Sequence, residues 1–424
     1  MLHTEVAVLG AGAAGLSLVH RLTRAAPGCR PVSAVLVDAP PGPLRPPSRT
    51  WCFWERGAGP YDAALTAEWR RLRVHGPTGR RTEDDIDPLR YKMLRSDDFE
   101  RFVARDLARS DGVTRLEATV ETVDGDAHGA DVHARAADGR PVTVRARWVF
   151  DSRPAARPPA ARTTLLQHFR GWFVRTAWPV FEPGTVDLMD FRVPQPSHGL
   201  AFGYVLPTGP HEALVEYTRF SGAVLSREAY EDELRRYTRD VLRLGPFEVT
   251  ATETGVIPMT DARFVTRPAP SVFRIGAAGG ATRPSTGYTF SAVQRQTRAV
   301  ADALHAGRRP QPPPAHSARS LAMDAVMLRA LDTGRVDGAA FFERLFAQVP
   351  AERLLRFLDG GTRLHEDLSV GLRTPVLPML RSAAELPWLA RDRPTARRNP
   401  PSPTPRPGSP AAPPPTARPP EETV

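Results

Sequence analysis

Gly10, Gly12 and Gly15, followed by an acid at Asp38, have the types and spacing of a dinucleotide site. Gly10 permits a tight turn. Gly12 lets the backbone approach a pyrophosphate at a helix N-terminus, and Gly15 lets that helix lie close to the strand before it. Asp38 can accept hydrogen bonds from a ribose diol. The surrounding pattern agrees. Val6-Ala7-Val8-Leu9 reads as a buried strand, Leu16 to Leu22 as a helix, and Val35-Leu36-Val37 as a second strand running into the acid. Many flavoproteins bind the ADP half of FAD with such a first βαβ unit, and NAD enzymes share the placement.

A second glycine segment stands late in the chain. Phe273-Arg274-Ile275-Gly276 reads as a strand, followed by Ala277-Ala278-Gly279-Gly280, then Pro284-Ser285-Thr286-Gly287-Tyr288, then a helix through Val293, Val300 and Leu304. The N-terminus of that helix can turn its dipole toward a bound flavin and stabilise negative charge on the ring. Gly276, Gly279, Gly280, Pro284, Thr286 and Gly287 are therefore cofactor candidates, and Arg95 is added to them. Many enzymes of this arrangement place an Asp directly after the first glycine. Ala277 stands there, so a bond to a ribityl chain must come from backbone or from elsewhere.

The elements between these segments alternate. Asp97 can cap a helix, with Glu100 at the capping-box position. Leu116–Val123, Val142–Phe150, Gln167–Thr176 and Ala201–Thr218 read as strands, the last broken by a turn at Pro207-Thr208-Gly209-Pro210. Glu228–Leu242 and residues 319–358 read as helices, the latter with apolar positions at Leu321, Val326, Leu328, Leu331, Phe341, Phe342, Leu345 and Phe346. This predicts an α/β chain with a nucleotide domain in two parts, 1–155 and 266–309. A mixed-sheet substrate domain (156–265) is inserted between them, and a helical part (310–390) and a disordered proline-rich tail (391–424) follow.

The 424 residues suffice for two to three domains, and 41% hydrophobic content supports real cores. The net charge of +10 and pI near 10.4 fit an arginine-rich composition or attraction to anionic lipid headgroups. No nucleic-acid motif accompanies the charge. Two cysteines, Cys29 and Cys52, are no disulfide framework, which points to a reducing cytoplasm. The opening residues lack the basic n-region of a signal peptide, and no apolar run is long enough for a transmembrane helix. Val370-Gly371-Leu372, Pro375 to Leu380 and Leu386 to Leu389 form a broken apolar stretch with Arg373 and Arg381, suited to an interfacial anchor or to a helical cap on the core.

At Arg49-Thr50-Trp51-Cys52-Phe53-Trp54-Glu55 the chain resembles the lycopene cyclases, flavoproteins that close the end rings of carotenoids. The resemblance continues to about residue 380. Gln167-His168-Phe169 with Gly171-Trp172-Phe173-Val174, Leu188 to Val193, Tyr204 to Pro207, Ala213 to Thr218, Gly255 to Pro258, and Pro284 to Tyr288 carry it in order. The family is similar in fold to aromatic hydroxylases and geranylgeranyl reductases, so an FAD-binding Rossmann-like fold of the aromatic-hydroxylase type is expected. In plant members the essential glutamate is followed by a second. Here Tyr217 follows Glu216, which argues against a two-carboxylate mechanism on that strand.

The resemblance implies acid-catalysed cyclisation of the ψ-end groups of lycopene to β-rings without net redox change. It also implies reduced FAD, with NADPH as electron source, and a peripheral place at a cytoplasmic membrane surface. Glu216 would be the acid, its pKa raised by apolar surroundings. Asp190 and Arg192 would set the charge nearby or form a structural ion pair. Trp51, Phe53, Trp54, Trp172, Phe173 and Tyr288 would line the tunnel and stabilise a cation, or pack as core. A flavin monooxygenase or prenyl reductase acting on an apolar isoprenoid is the competing enzyme reading, and a non-catalytic flavin-binding protein the third. No Gly-x-Ser-x-Gly, His-Glu-x-x-His, Cys-x-x-Cys or P-loop occurs, and the histidines lack metal-ligand spacing, so no metal is expected.

Overall fold

The computed structural model describes residues 1–24, 28–155 and 157–393, and the proline-rich tail beyond Arg393 lies outside the described residues. The chain opens with β1 (Leu2–Leu9), α1 (Ala13–Thr23) and β2 (Ala34–Asp38). It then forms β3 (Thr50–Arg56), β4 (Ala67–Trp69), β5 (Arg71–His75), β6 (Arg81–Asp85) and β7 (Leu89–Arg95). Next come α2 (Ser96–Leu107), β8 (Val113–Gly125), β9 (Ala130–Ala136) and β10 (Pro141–Asp151). β11 (Thr164–Thr176), β12 (Thr185–Asp190), β13 (Leu200–Pro207), β14 (Glu212–Ser221), α3 (Arg227–Arg236) and β15 (Phe247–Thr260) follow. The chain continues with β16 (Val272–Arg274), α4 (Phe290–His305), α5 (Ala318–Asp332), α6 (Gly338–Gln348), α7 (Ala351–Leu358), α8 (Leu364–Gly371) and α9 (Val376–Glu385).

Three sheets result. In the first, β1 lies between β2 and β10, with β8 beyond β2 and β16 beyond β10, all parallel, while β9 joins β8 and β10 antiparallel. Val6 to Leu9 are fully buried, as a central parallel strand covered on both faces requires. The second sheet runs β15-β11-β14-β13-β12-β5-β6 and is mixed, since only β12 and β5 pair in parallel. The third is a small sheet, β3-β7-β4. β5 and β6, which fall inside the 1–155 stretch, thus complete the large sheet rather than the nucleotide sheet.

Alternation decides what each face does. On the front of the large sheet Leu165, Leu214, Phe202 and Phe220 join one core with Phe341, Phe342, Leu345 and Leu354 of α6 and α7. On its back Trp172, Val215, Tyr217, Tyr230 and Tyr237 form a second core with α3 and the turn after it. The small sheet lies between the two large ones, and Lys92 is fixed within it. This is the chain's single lysine, fully buried, and it donates to Glu55 Oε1 (3.0 Å), Gly57 O (3.0 Å) and Asp62 Oδ1 (2.6 Å). Three acceptors around one ammonium satisfy a compact head, where a planar guanidinium would not fit.

Some local expectations shift. Asp97 does not cap α2. The helix starts at Ser96, with extended Arg95 before it, and Asp97 sits in the first turn accepting from Ser48 Oγ at 2.7 Å. Glu100 is held by Arg45 and Arg115 instead of closing a capping box. Leu321, expected in the core of α5, is exposed.

Candidate active site

The first glycine segment is built as its spacing requires. Gly10 has a φ of +91°, and its N–H donates to Val37 O at 2.8 Å. A Cβ at Gly15 would stand 1.9 Å from Gly10 O, so helix and strand touch there. Gly12 is different. Its φ of −81° suits any residue, and a Cβ there would meet nothing within 4 Å. The fold itself gives no reason for this glycine, whereas a ligand lying against it would. α1 begins directly after it with no side-chain cap and no acid in its first turn, which leaves N–H groups for an anion. Asp38 Oδ1 accepts from Ala11 N at 3.0 Å, and Oδ2 faces Arg115 (3.7 Å) and Arg45 (3.9 Å).

The second segment lies beside the first. Gly276 has a φ of +65° and presses on Ala14, Gly279 on Arg274 O, and left-handed Gly280 on Phe264. Arg283 N donates to Tyr288 O at 2.8 Å, closing the turn that contains Pro284 and Thr286. Its Arg283 side chain and Ser285 hydroxyl both reach buried Asp324 of α5, at 2.6 and 2.7 Å. Gly287, with a φ of +76°, lets Gln167 Oε1 come close. Gln167 Oε1 and Thr286 Oγ1 are buried, and among the described residues neither has a hydrogen-bond partner. Two orphaned polar atoms beside a glycine turn fit a heteroaromatic ring edge, so the residues present are compatible with a flavin. Both residues border an apolar cleft shared by Tyr204, Tyr288, Phe202 and Phe342.

The acidic centre is a row across the front of the large sheet. Tyr204 of β13 pairs with Glu216 of β14, Glu216 with Gly171 of β11, and Gly171 with Glu253 of β15. Glu216 is buried, and Oε1 accepts from Thr218 Oγ1 at 2.6 Å. Burial, and then the Glu253 carboxylate, push its pKa up to about 8, so it holds its proton at neutral pH. Burial also raises Glu253, opposed by the Thr50 hydroxyl that donates to Oε2 at 2.6 Å and by the charge of Arg95. A Cβ built on Gly171 would lie 3.5 Å from Glu253 Cγ and 3.6 Å from Glu216 Cβ. Leu214 Cδ1 is closer still, 2.7 Å from that Cβ position, so the glycine makes room for the Leu214 side chain between the two acids.

The small sheet covers this row. β3 and β7 pair Thr50 with Arg95, Cys52 with Met93 and Trp54 with Tyr91. This face meets the large sheet: Thr50 reaches Glu253, and the Arg95 guanidinium lies 4.8 Å from the Phe173 ring centre. Arg95 therefore stands beside the acid row. Tyr288 joins Tyr91 (3.2 Å) and Tyr204 (3.1 Å) through its hydroxyl, and Trp54 packs edge-on against it at 4.5 Å. Burial pushes the Tyr288 phenol up to about 12 and raises the Cys52 thiol.

Of the six proposed lining aromatics, Trp54, Phe173 and Tyr288 thus face the acids. Trp51 and Phe53 do not. Alternation along β3 turns them to the nucleotide side, where Phe53 stacks on Phe290 at 4.4 Å and Trp51 on the same ring at 5.7 Å. Trp172 lies behind the large sheet against Phe247. Asp190 and Arg192 also stand apart from Glu216. Asp190 is fully buried at the back, accepting from Tyr237 Oη (2.8 Å), Arg192 Nε (2.8 Å) and Arg192 Nη2 (2.5 Å). Tyr237 itself belongs to the rear core, so this is an ion pair tying β12 to the element after α3. Glu253, Thr50, Thr218, Tyr91 and Tyr204 are site residues that the sequence reading did not single out.

Fold and site together define a flavoprotein-type architecture, a dinucleotide domain facing an antiparallel-rich sheet. Residues 5–384 match the family described as lycopene cyclase protein, and the chain belongs to that family. No curated protein matches it. Among solved structures, a geranylgeranyl bacteriochlorophyll reductase-like protein from Thermoplasma acidophilum superposes with a TM-score of 0.58 at 13% identity, covering 90% of this chain and 98% of its own. p-Nitrophenol 4-monooxygenase from Pseudomonas putida gives 0.54 at 16% identity, with 93% and 100% covered. A flavoprotein/dehydrogenase from Cytophaga hutchinsonii gives 0.56 at 12%, with 90% and 100% covered. At these identities the likeness is one of fold. Among the described residues no helix is long and apolar enough to cross a membrane, and no cluster of side chains could hold a metal.

Proposed function

We propose that the protein is a lycopene β-cyclase that closes ψ-end groups of lycopene into β-rings by acid catalysis. The observation that carries this reading is Glu216, a buried carboxyl that keeps its proton at neutral pH and pairs in register with Tyr204, which lines the aromatic cleft beside the second glycine turn. Protonating an unactivated double bond needs a desolvated acid. Glu216 delivers its proton to the terminal double bond, and the resulting tertiary cation is attacked by the conjugated chain. Loss of a proton then gives the ring double bond. Trp54, Phe173, Tyr204 and Tyr288 offer π faces around the row. Gly10, Gly12, Gly15, Asp38 and the Gly276–Gly287 turn would hold FAD, whose reduced form, drawn from NADPH, supplies negative charge near a cation.

Lycopene dissolves in bilayers, so the cleft must be fed from one. Leu364, Leu368, Leu372, Leu377, Leu380 and Trp388 are all exposed on α8, α9 and the turn after them, Trp388 by 87%. With Arg373 and Arg381 between them, they support peripheral docking on the cytoplasmic membrane surface. Expression in a lycopene-accumulating bacterium tests the reading. A cyclase turns the pigment from red to orange-yellow and gives products isomeric with lycopene. A prenyl reductase would add hydrogen and a monooxygenase oxygen, and either mass change would replace this reading with the other.

A further inference from the structure

The proposed reaction delivers a proton at one carbon and withdraws one at another. If Glu216 did both, its carboxyl would have to reach both carbons. The row across the sheet offers a second group. Glu216 and Glu253 stand on β14 and β15, each in register with Gly171 of the strand between, and both point to the front face. Two strand spacings put their backbones about 10 Å apart. The Leu214 side chain lies over the glycine, and an end group seated against it would have one acid at each side. Thr218 occupies Oε1 of Glu216 and Thr50 occupies Oε2 of Glu253, and among the described residues the other oxygen of each has no protein partner.

The surroundings of the two differ. Among the described residues no cation is paired with Glu216. Glu253 has the Arg95 guanidinium nearby, held in place over Phe173, and this charge favours its carboxylate. Burial raises both carboxyls, Glu216 up to about 8, and for Glu253 the Thr50 hydroxyl and Arg95 work against that rise, which suits Glu216 to the acid's part and Glu253 to the base's.

We propose that Glu253 is the base of the cyclisation, taking the proton from the newly bonded ring carbon after Glu216 has delivered its own to the terminal double bond. This rests on the cyclase reading. The Glu216 O–H bond breaks as a C–H bond forms, leaving a carboxylate and a tertiary cation. The chain's double bond attacks, the ring C–C bond forms, and the cation moves into the ring. Glu253 then takes the proton from the adjacent ring carbon, and that C–H electron pair becomes the ring double bond. One proton has crossed from Glu216 to Glu253, and exchange with water after product release restores the starting state. No oxidant or reductant enters.

The position of the ring double bond reports the base, because a cation without it loses whichever neighbouring proton water can reach. The test uses purified, FAD-loaded protein with NADPH and lycopene in anionic phospholipid vesicles. Wild type forming no rings would remove the cyclase reading itself. With wild type forming β-rings, Glu253→Gln should lower β-ring formation at least about a hundredfold. The residual rings should carry displaced double bonds, with flavin still bound. Glu253→Asp, one methylene short, should run at least about tenfold slower than wild type and keep the β position. β-Rings at the wild-type rate from Glu253→Gln would overturn the proposal, as would Glu253→Asp matching either Gln in inactivity or wild type in rate. If Glu253→Gln does not fold, Glu253→Asp decides alone by the same criteria.

Discussion

A carboxyl that keeps its proton to about pH 8 makes the folded protein less stable as the pH rises, and Glu216 is such a group. Below its ordinary value of 4.5 the residue is protonated in both folded and unfolded chains. Between there and about pH 8 the unfolded chain has released the proton and the folded one has not, so stability falls across that window. Glu216→Gln keeps the shape and an oxygen for Thr218 while removing the titration. Urea midpoints at about pH 5 and about pH 9 should therefore move in favour of the variant, relative to wild type, as pH rises. Equal displacement at both would mean that Glu216 ionises normally in the fold. Activity should fall as the pH rises through about 8, where the folded protein's acid loses its proton. The sequence contained the apolar flanks of Glu216, Leu214 and Val215, and the family resemblance pointed to the same residue. It did not contain Glu253 in any readable form. Thr252-Glu253-Thr254 looks like a solvent-facing strand, and only the register with Gly171 brings the second acid to the first.

At the scale of elements, alternation along a strand separates what the sequence could not. Trp51, Phe53 and Trp54 are alike as lining candidates, yet of the four residues from Trp51 to Trp54 only Trp54 and Cys52 face the acid row. Which pair does so depends on which sheet lies on which side, a tertiary fact. Asp190 is ambiguous for a similar reason, since the face it takes at the end of β12 comes with a register shift between Asp187 and Asp190, and Arg192 lies just beyond the strand. The βαβ unit was legible because each glycine serves a local geometry. That geometry also separates structural from ligand-facing positions. Gly12→Val should alter stability by no more than about 0.5 kcal/mol, because open space surrounds it, and should abolish flavin retention. Gly15→Ala, driven into Gly10 O, should cost about 1–3 kcal/mol whether flavin is present or not. Thermal melts with and without added FAD check both. Flavin binding by Gly12→Val at wild-type strength would detach that loop from the cofactor.

For the whole molecule, the order nucleotide sheet, large mixed sheet, second glycine turn and terminal helices follows the chain. The return of β16 beside β10 brings the two glycine segments together. Composition foresaw a cationic, cored, disulfide-free chain, and both cysteines are free. It could not foresee that the apolar residues of α8 and α9 stay largely outside the core. Liposome flotation measures what that surface does. A variant with Leu377, Leu380 and Trp388 made polar should float at least about tenfold less than wild type on anionic vesicles, with its melting temperature little changed. Equal flotation would assign these residues another role. The account as a whole rests on isomerisation by Glu216. Its most direct measurement is mass-resolved chromatography of products from FAD-loaded wild type and Glu216→Gln acting on vesicle-borne lycopene, with NADPH consumption followed alongside. The account predicts ring products of unchanged mass from wild type, no NADPH spent per ring, and at least about a hundredfold less from the folded, flavin-bound variant. Products heavier by hydrogen or oxygen with matching NADPH use, or rings formed at the wild-type rate by Glu216→Gln, would contradict it.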